Sequence, residues 1–141
     1  MYKRILVPLD HSAVDDLILK HVRSLAKLTG ATLFLIHVAD GYAARLQEHL
    51  NLEDSEEIQK DRGYLQTREK ELAKEGFQVK SYLATGDPTN EILDIATKEK
   101  CDLIAMSTHG HGLFKDFLLG SVANTLRHRT SIPILMIRAN E

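Results

Sequence analysis

A chain of 141 residues, 43% hydrophobic and 27% charged, has the make-up of a single globular domain over residues 1–141, long enough to bury a core without staples. Its 18 basic and 20 acidic residues give a formal net charge of −2 with no block of like charge, so nothing points to a nucleic-acid partner or an anionic membrane. The lone Cys101 excludes an internal disulfide, and no Cys/His spacing fits a structural zinc site. The opening MYKRILVPLD lacks the long apolar region of a signal peptide and is too short to span a bilayer; a cytoplasmic protein is expected.

In chain order, RILVPL (residues 4–9) is a continuous apolar run, the pattern of a strand covered on both faces. Ser12, followed three residues later by Asp15, predicts an N-cap with a short version of the capping box. Val14, Leu17, Ile18, Val22, Leu25 and Leu28 then recur at helical spacing until Gly30 stops the run. TLFLIHV (32–38) reads as a second buried strand, with His37 expected to be satisfied in the core or at an edge. Asp40 to about Leu52 is irregular, either a flap beside a site or a plain surface excursion.

A charged, amphipathic helix is predicted from Glu53 to Glu75, ended by Gly76. FQVKSYLA (77–84) alternates more than the other strands and belongs nearer a sheet edge. Asp87-Pro88 joins a capping carboxylate to proline at the first helical position, and Ile92, Leu93, Ile95 and Ala96 supply that helix's apolar side. DLIAMS (102–107) and PILMI (133–137) are two further buried strands, separated by a helix from about Gly120 to Arg129.

Strands and helices alternate throughout. The expected fold is therefore α/β: one doubly wound open sheet of five parallel strands in order 3-2-1-4-5, with four helices on its two faces. In such sheets ligands bind beyond the carboxyl ends of the strands where strand order reverses, here between the first and fourth. Pro8, Leu9, Asp10 and His11 leave the first strand, and Met106, Ser107, Thr108, His109 and Gly110 leave the fourth.

The chemistry there suits a phosphate. Glycines at 110, 112 and 120 let the backbone come close to an anion. Gly120, Ser121 and Val122 open a helix whose free N–H groups favour negative charge, and Ser121 adds a hydroxyl. The same Gly120-Ser121 pair also suits a simple helix cap, and both readings stand.

ILVPLDHS, LFLIHV, GDPTNEILDIA, CDLIAMSTHG and LLGSVANTLRHRTSIPILMIR, in that order and over nearly the whole chain, resemble the universal stress protein family. The resemblance implies a Rossmann-like fold of the adenine nucleotide alpha hydrolase type. Members that bind ATP carry G-x-x-G-x9-G-(S/T) after the fourth strand. This chain keeps Gly110, nine residues, then Gly120-Ser121, but has Ser107 at the first glycine. If the backbone at 107 needs positive φ, serine costs on the order of 1 kcal/mol. If it needs only space, a hydroxymethyl group fits and can donate a hydrogen bond.

The resemblance implies ATP as ligand, with Mg²⁺ brought by the nucleotide. Asp10 would lie by the adenosine or by that Mg²⁺, a hard oxygen ligand of the preferred type; it equally suits a helix N-terminus. Val38 would contact adenine, although a valine there also suits the core. Gly110, Gly120, Ser121 and Val122 would cradle phosphates with Thr108 and His109 alongside, and Pro8, Leu9, Met106 and Ser107 would line the wall. It further implies a homodimer paired through the final strand, with Ile134 and Met136 in the interface. The implied activity is that of a nucleotide-binding stress-response regulator without efficient catalysis, serving an unidentified regulatory protein partner. Slow ATP hydrolysis is the most the residues suggest: no Walker-type lysine, water-positioning glutamine or arginine finger stands out. The alternative is a family member that binds no nucleotide and acts as a protein-interaction module.

Two other readings fall away. His109 and His111 can chelate, but no third ligand is evident, and Asp116 and His11 enter only by guesswork. A flavodoxin-like carrier would need a hydroxyl-rich phosphate loop after the first strand, where PLDHSAVDD offers a single serine.

Overall fold

Parallel strands cannot be joined by tight turns, so each pair needs a crossover, and helices supply it here. The computed structural model describes residues 1–39, 56–109 and 119–139, without the side chains of residues 109, 119 and 120. Along these the chain forms β1 (Arg4–Pro8), α1 (Val14–Thr29), β2 (Thr32–Ala39), α2 (Glu56–Lys74), β3 (Gln78–Thr85), α3 (Pro88–Lys98), β4 (Leu103–His109), α4 (Leu119–Arg129) and β5 (Ile134–Ala139). The five strands are all parallel, in the order β3-β2-β1-β4-β5. Strand order, strand direction and the four helices among the described residues agree with the sequence expectation.

Alternation along the strands divides the core in two. Ile5, Val7, Leu9, Leu33, Leu35, Leu103 and Ala105 pack under α1 and α2. Leu6, Phe34, Ile36, Val38, Ile104 and Met106 pack under α3 and α4. Both faces are thus covered, which is why the central runs carry no polar alternation. The edge strands β3 and β5 are only partly buried, as the alternating FQVKSYLA foretold for the first of them.

Helix ends follow the local sequence in two cases and depart from it in a third. Asp87 caps α3 by accepting from the Asn90 N–H at 3.0 Å, with Pro88 at the first position. Gly30 closes α1 in the left-handed region, φ 73°, and its N–H reaches the Ala26 carbonyl at 2.8 Å. At the start of α1, however, Ser12 is not the cap. Ala13 occupies that position with no side-chain cap, and the Ser12 hydroxyl turns to Asp10. Only the reverse half of the expected box forms, with Asp15 accepting from the Ser12 N–H at 3.3 Å. Leu28, read as part of the apolar stripe, is 85% exposed beyond the last buried turn. The second helix begins, among the described residues, at Glu56, and the candidate flap from Asp40 to Leu52 lies outside them.

The amino end of the sheet is tied by side chains. Asp102 accepts from the N–H groups of Lys3 and Arg4 at 3.1 and 3.0 Å, and its own N–H donates to the Arg4 carbonyl at 2.9 Å. Glu99 takes the Tyr82 hydroxyl at 2.6 Å and the Arg4 guanidinium at 3.2 Å, joining β1, β3 and the end of α3. No helix among the described residues is long and apolar enough to cross a membrane.

Leu126 of α4 is fully buried, whereas Leu28 is largely exposed. Urea unfolding is expected to show a loss of about 2–5 kcal/mol for Leu126→Ala and a change within about 0.5 kcal/mol for Leu28→Ala.

Candidate functional site

The crevice begins where a ladder stops. β1 pairs with β4 only at Ile5–Leu103 and Leu6–Ile104. Beyond that point β1 stays with β2 as far as Pro8–Ile36, and the Leu9 N–H continues to the Ile36 carbonyl at 2.8 Å. Over the same distance β4 stays with β5, as far as His109–Ala139. The two central strands therefore part company after Leu6 and Ile104, at the reversal of strand order where a ligand is expected.

Those nominated residues that are described lie toward the carboxyl ends of β1, β2 and β4 and in the first turn of α4. Pro8 ends β1, Leu9 is buried, and partly buried Asp10 follows in the turn to α1. Met106, buried Ser107 and Thr108 line the last part of β4. Val38 lies near the end of β2 on the face it shares with Met106. Gly120 and exposed Ser121 fall in the first turn of α4, with Val122 buried behind them. His109 ends β4, and its side chain is not described; Gly110, His111, Gly112 and Asp116 lie outside the described residues. Among the described residues no group of three or more His, Cys, Asp or Glu side chains could hold a metal ion.

Ser107 settles one of the alternatives posed by its substitution. Apart from glycines, positive φ occurs among the described residues only at Tyr2, His11 and Lys100. Ser107 sits in regular strand, paired with Ile137, so its Cβ carries no left-handed strain. Its side chain is 0% exposed, and its hydroxyl has no hydrogen-bond partner among the described residues. A buried hydroxyl left this way costs roughly 1–3 kcal/mol unless something joins it.

The turn from β1 into α1 is built by a residue that sequence reading undervalued. Asp15 is 0% exposed. One carboxylate oxygen accepts from the Asp10 N–H at 3.0 Å; the other accepts from the N–H groups of His11 at 3.0 Å and Ser12 at 3.3 Å, and from the Tyr64 hydroxyl at 2.6 Å. Arg68 donates to the same Tyr64 oxygen at 3.2 Å and pairs with Asp16. Burial raises the Asp15 carboxyl from 3.8 to about 6, helped by the nearby Asp10 charge and opposed by its hydrogen bonds.

Beside it stands a second group. His11, at φ 61°, stacks on Tyr64 with ring centres 4.1 Å apart, and its Nδ1 lies 2.6 Å from Asp61. The other Asp61 oxygen lies 3.4 Å from His37 Nε2. His37 Nδ1 donates to the Leu9 carbonyl at 2.8 Å, since a carbonyl can only accept; that proton's position is thereby fixed. His37 is the satisfied core histidine the sequence suggested. Asp61, Tyr64 and Arg68 stand three and four residues apart on one face of α2, a spacing readable in the sequence whose target was not.

An open doubly wound sheet of five parallel strands, parting at its strand reversal and covered by helices on both faces, defines a Rossmann-like α/β protein. The universal stress protein family model matches residues 1–138, and the chain belongs to that family. It is similar to universal stress protein MJ0577 of Methanocaldococcus jannaschii, 30% identical over 155 residues, covering 98% of this chain and 96% of that one. The solved structure of MJ0577 superposes with a TM-score of 0.83 at 33% identity, covering 100% of this chain and 99% of that one. Two further structures share the fold. One is a universal stress protein from Archaeoglobus fulgidus in complex with dAMP, at 20% identity and TM-score 0.70, covering 96% of this chain and 98% of that one. The other is a universal stress protein in complex with cAMP, at 18% identity and TM-score 0.66, covering 97% of each chain.

Because the Asp15 carboxyl is raised, the folded chain holds its proton more tightly than the unfolded chain does. Its contribution to stability is therefore greatest below 3.8 and declines as the pH climbs to about 6. Urea unfolding of the native sequence and Asp15→Asn across that window should show the difference, native minus variant, falling with rising pH; a rising difference would contradict the assignment.

Proposed function

We propose that the chain binds an adenine nucleotide, ATP foremost, in the crevice between β1 and β4, and acts as a stress-response regulator rather than a fast catalyst. The observation that carries this reading is the parting of β1 from β4, together with a buried Ser107 hydroxyl that has no hydrogen-bond partner among the described residues. A hydroxyl in that state suits a polar ligand, and the regular strand at 107 removes the backbone objection to serine at the motif's first glycine. The dAMP and cAMP complexes of proteins with this fold support the ligand class.

In this reading Pro8, Leu9, Val38 and Met106 supply apolar walls for the base. Gly120, Ser121 and Val122 receive phosphates at the start of α4, where free N–H groups and the helix dipole favour negative charge, and Gly110, outside the described residues, is assigned to the same task by the motif. Thr108 and His109 stand alongside. Asp10, an oxygen donor held by the Ser12 hydroxyl, has the chemistry to hold a nucleotide-borne Mg²⁺. The Mg²⁺ would offset phosphate charge near this carboxylate.

Calorimetric titration of nucleotide-free protein with ATP tests the reading. The native sequence is expected to bind, and Asp10→Asn to bind at least about tenfold more weakly with Mg²⁺ present, a change of about 1.4 kcal/mol. Silence from the native chain with binding restored in Ser107→Gly would mean that one residue has closed the site. Silence from both would favour the interaction module, the second reading.

The final strand supports a homodimer. β5 is an edge strand, and Met136 on it is 48% exposed. An apolar edge of this kind is a template for pairing, and two-fold pairing would cover both copies. Light scattering is expected to give about twice the 15.9 kDa chain mass, falling to the monomer mass in Met136→Lys. A monomeric native protein would overturn it.

A further inference from the structure

The helices that follow β1 and β4 are α1 and α4, and of the turns leading into them the β1–α1 turn lies within the described residues. In that turn the three consecutive N–H groups of Asp10, His11 and Ser12 are turned toward one carboxylate group, which is the arrangement of an anion nest. In doubly wound folds the first βα turn is also the usual seat of a nucleotide's phosphates. Here the seat is taken. The carboxylate of Asp15, from the first turn of α1 itself, receives all three N–H groups and the Tyr64 hydroxyl as a fourth donor.

We infer that Asp15 is a specificity-determining residue: its carboxylate is a built-in substitute for phosphate that closes the β1–α1 turn to anionic ligands and so sets which way a nucleotide lies across the crevice. The inference rests on the nucleotide reading above for the ligand, but on the Asp15 geometry alone for the closure.

Three features make the occupancy stable. The side chain is 0% exposed, so no water competes for its donors. A chain-borne anion reaches its nest without loss of translational freedom, whereas a free phosphate meets that cost in full. Tyr64 is itself fixed, by the Arg68 donor on its oxygen and the His11 ring against its face, so the fourth donor is oriented in advance. With this turn filled, the remaining helix start on the rim belongs to α4. A nucleotide's phosphates then have one end of the crevice open to them and its base must lie toward the other.

Amide NMR on the full chain decides it, with inorganic phosphate as the probe. In the native protein the Asp10, His11 and Ser12 resonances are expected not to move as phosphate is added. In Asp15→Ala, where the nest is vacated, all three should shift in a saturable way. Asp15→Asn, which keeps the volume and removes the charge, should show a weaker response at the same amides and serves if the alanine variant does not fold. A response of these amides in the native protein, or none in a folded Asp15→Ala, overturns the inference. The Ser121 and Val122 amides report separately: their silence toward both phosphate and ATP in the native chain counts against the nucleotide reading and leaves the Asp15 result standing.

Discussion

The pairing of the two central strands, β1 and β4, stops short, and that early stop governs the rest. β1 lies at the centre and has hydrogen-bonding groups on both edges, yet after Leu6 it keeps only one partner. It remains with β2 through Pro8 and, by the Leu9 N–H, beyond; β4 remains with β5. Proline at position 8 has no N–H to offer a ladder, so the chain can leave β4 there without orphaning a donor. The opening is thus a consequence of how backbone hydrogen bonds are shared at a reversal of strand order, and the side chains around it are placed by that sharing.

Leaving β4 early exposes a second need. The residues between β1 and α1 are no longer in a ladder, and their N–H groups must find acceptors inside a covered layer. Asp15 meets it, at the expense of burying a carboxylate, and Tyr64 and Arg68 from α2 share that burden. The position of α2 over the sheet and the conformation of the Asp10 turn are consequently linked. His11 and Asp61 strengthen the same link from the other side of Tyr64.

The sheet was legible in the sequence because burial on both faces leaves a direct trace, the unbroken apolar runs from Arg4 to Leu9 and from Asp102 to Ser107. The α3 cap was legible because Asp87-Pro88 acts on its own next turn. The Asp15 cluster was not, since its partners Tyr64 and Arg68 are 49 and 52 residues from the residues they bind. Spacing along α2 shows that Asp61, Tyr64 and Arg68 share a face and cannot show what the face meets. The same limit explains Ser12, whose composition fits a cap but whose hydroxyl Asp10 claims instead. The Ser107 question turned on a backbone dihedral, which residue identity constrains weakly for serine.

The tie at the amino end of the sheet has a consequence for the opening at the other. With Asp102 holding the backbone of Lys3 and Arg4, and Glu99 holding Arg4 and Tyr82, the strands are pinned below the point where they diverge. From Leu6 to Leu9 the chain advances by three residue steps, about 10 Å at the usual strand rise. Along the carboxyl ends of the central strands the residues change character, from buried Pro8 and Met106 to partly buried Asp10 and Thr108. Polarity at this end of the sheet thus rises with distance from the pinned amino end, so a substitution there would act on the core or on the surface according to how far along the strand it falls.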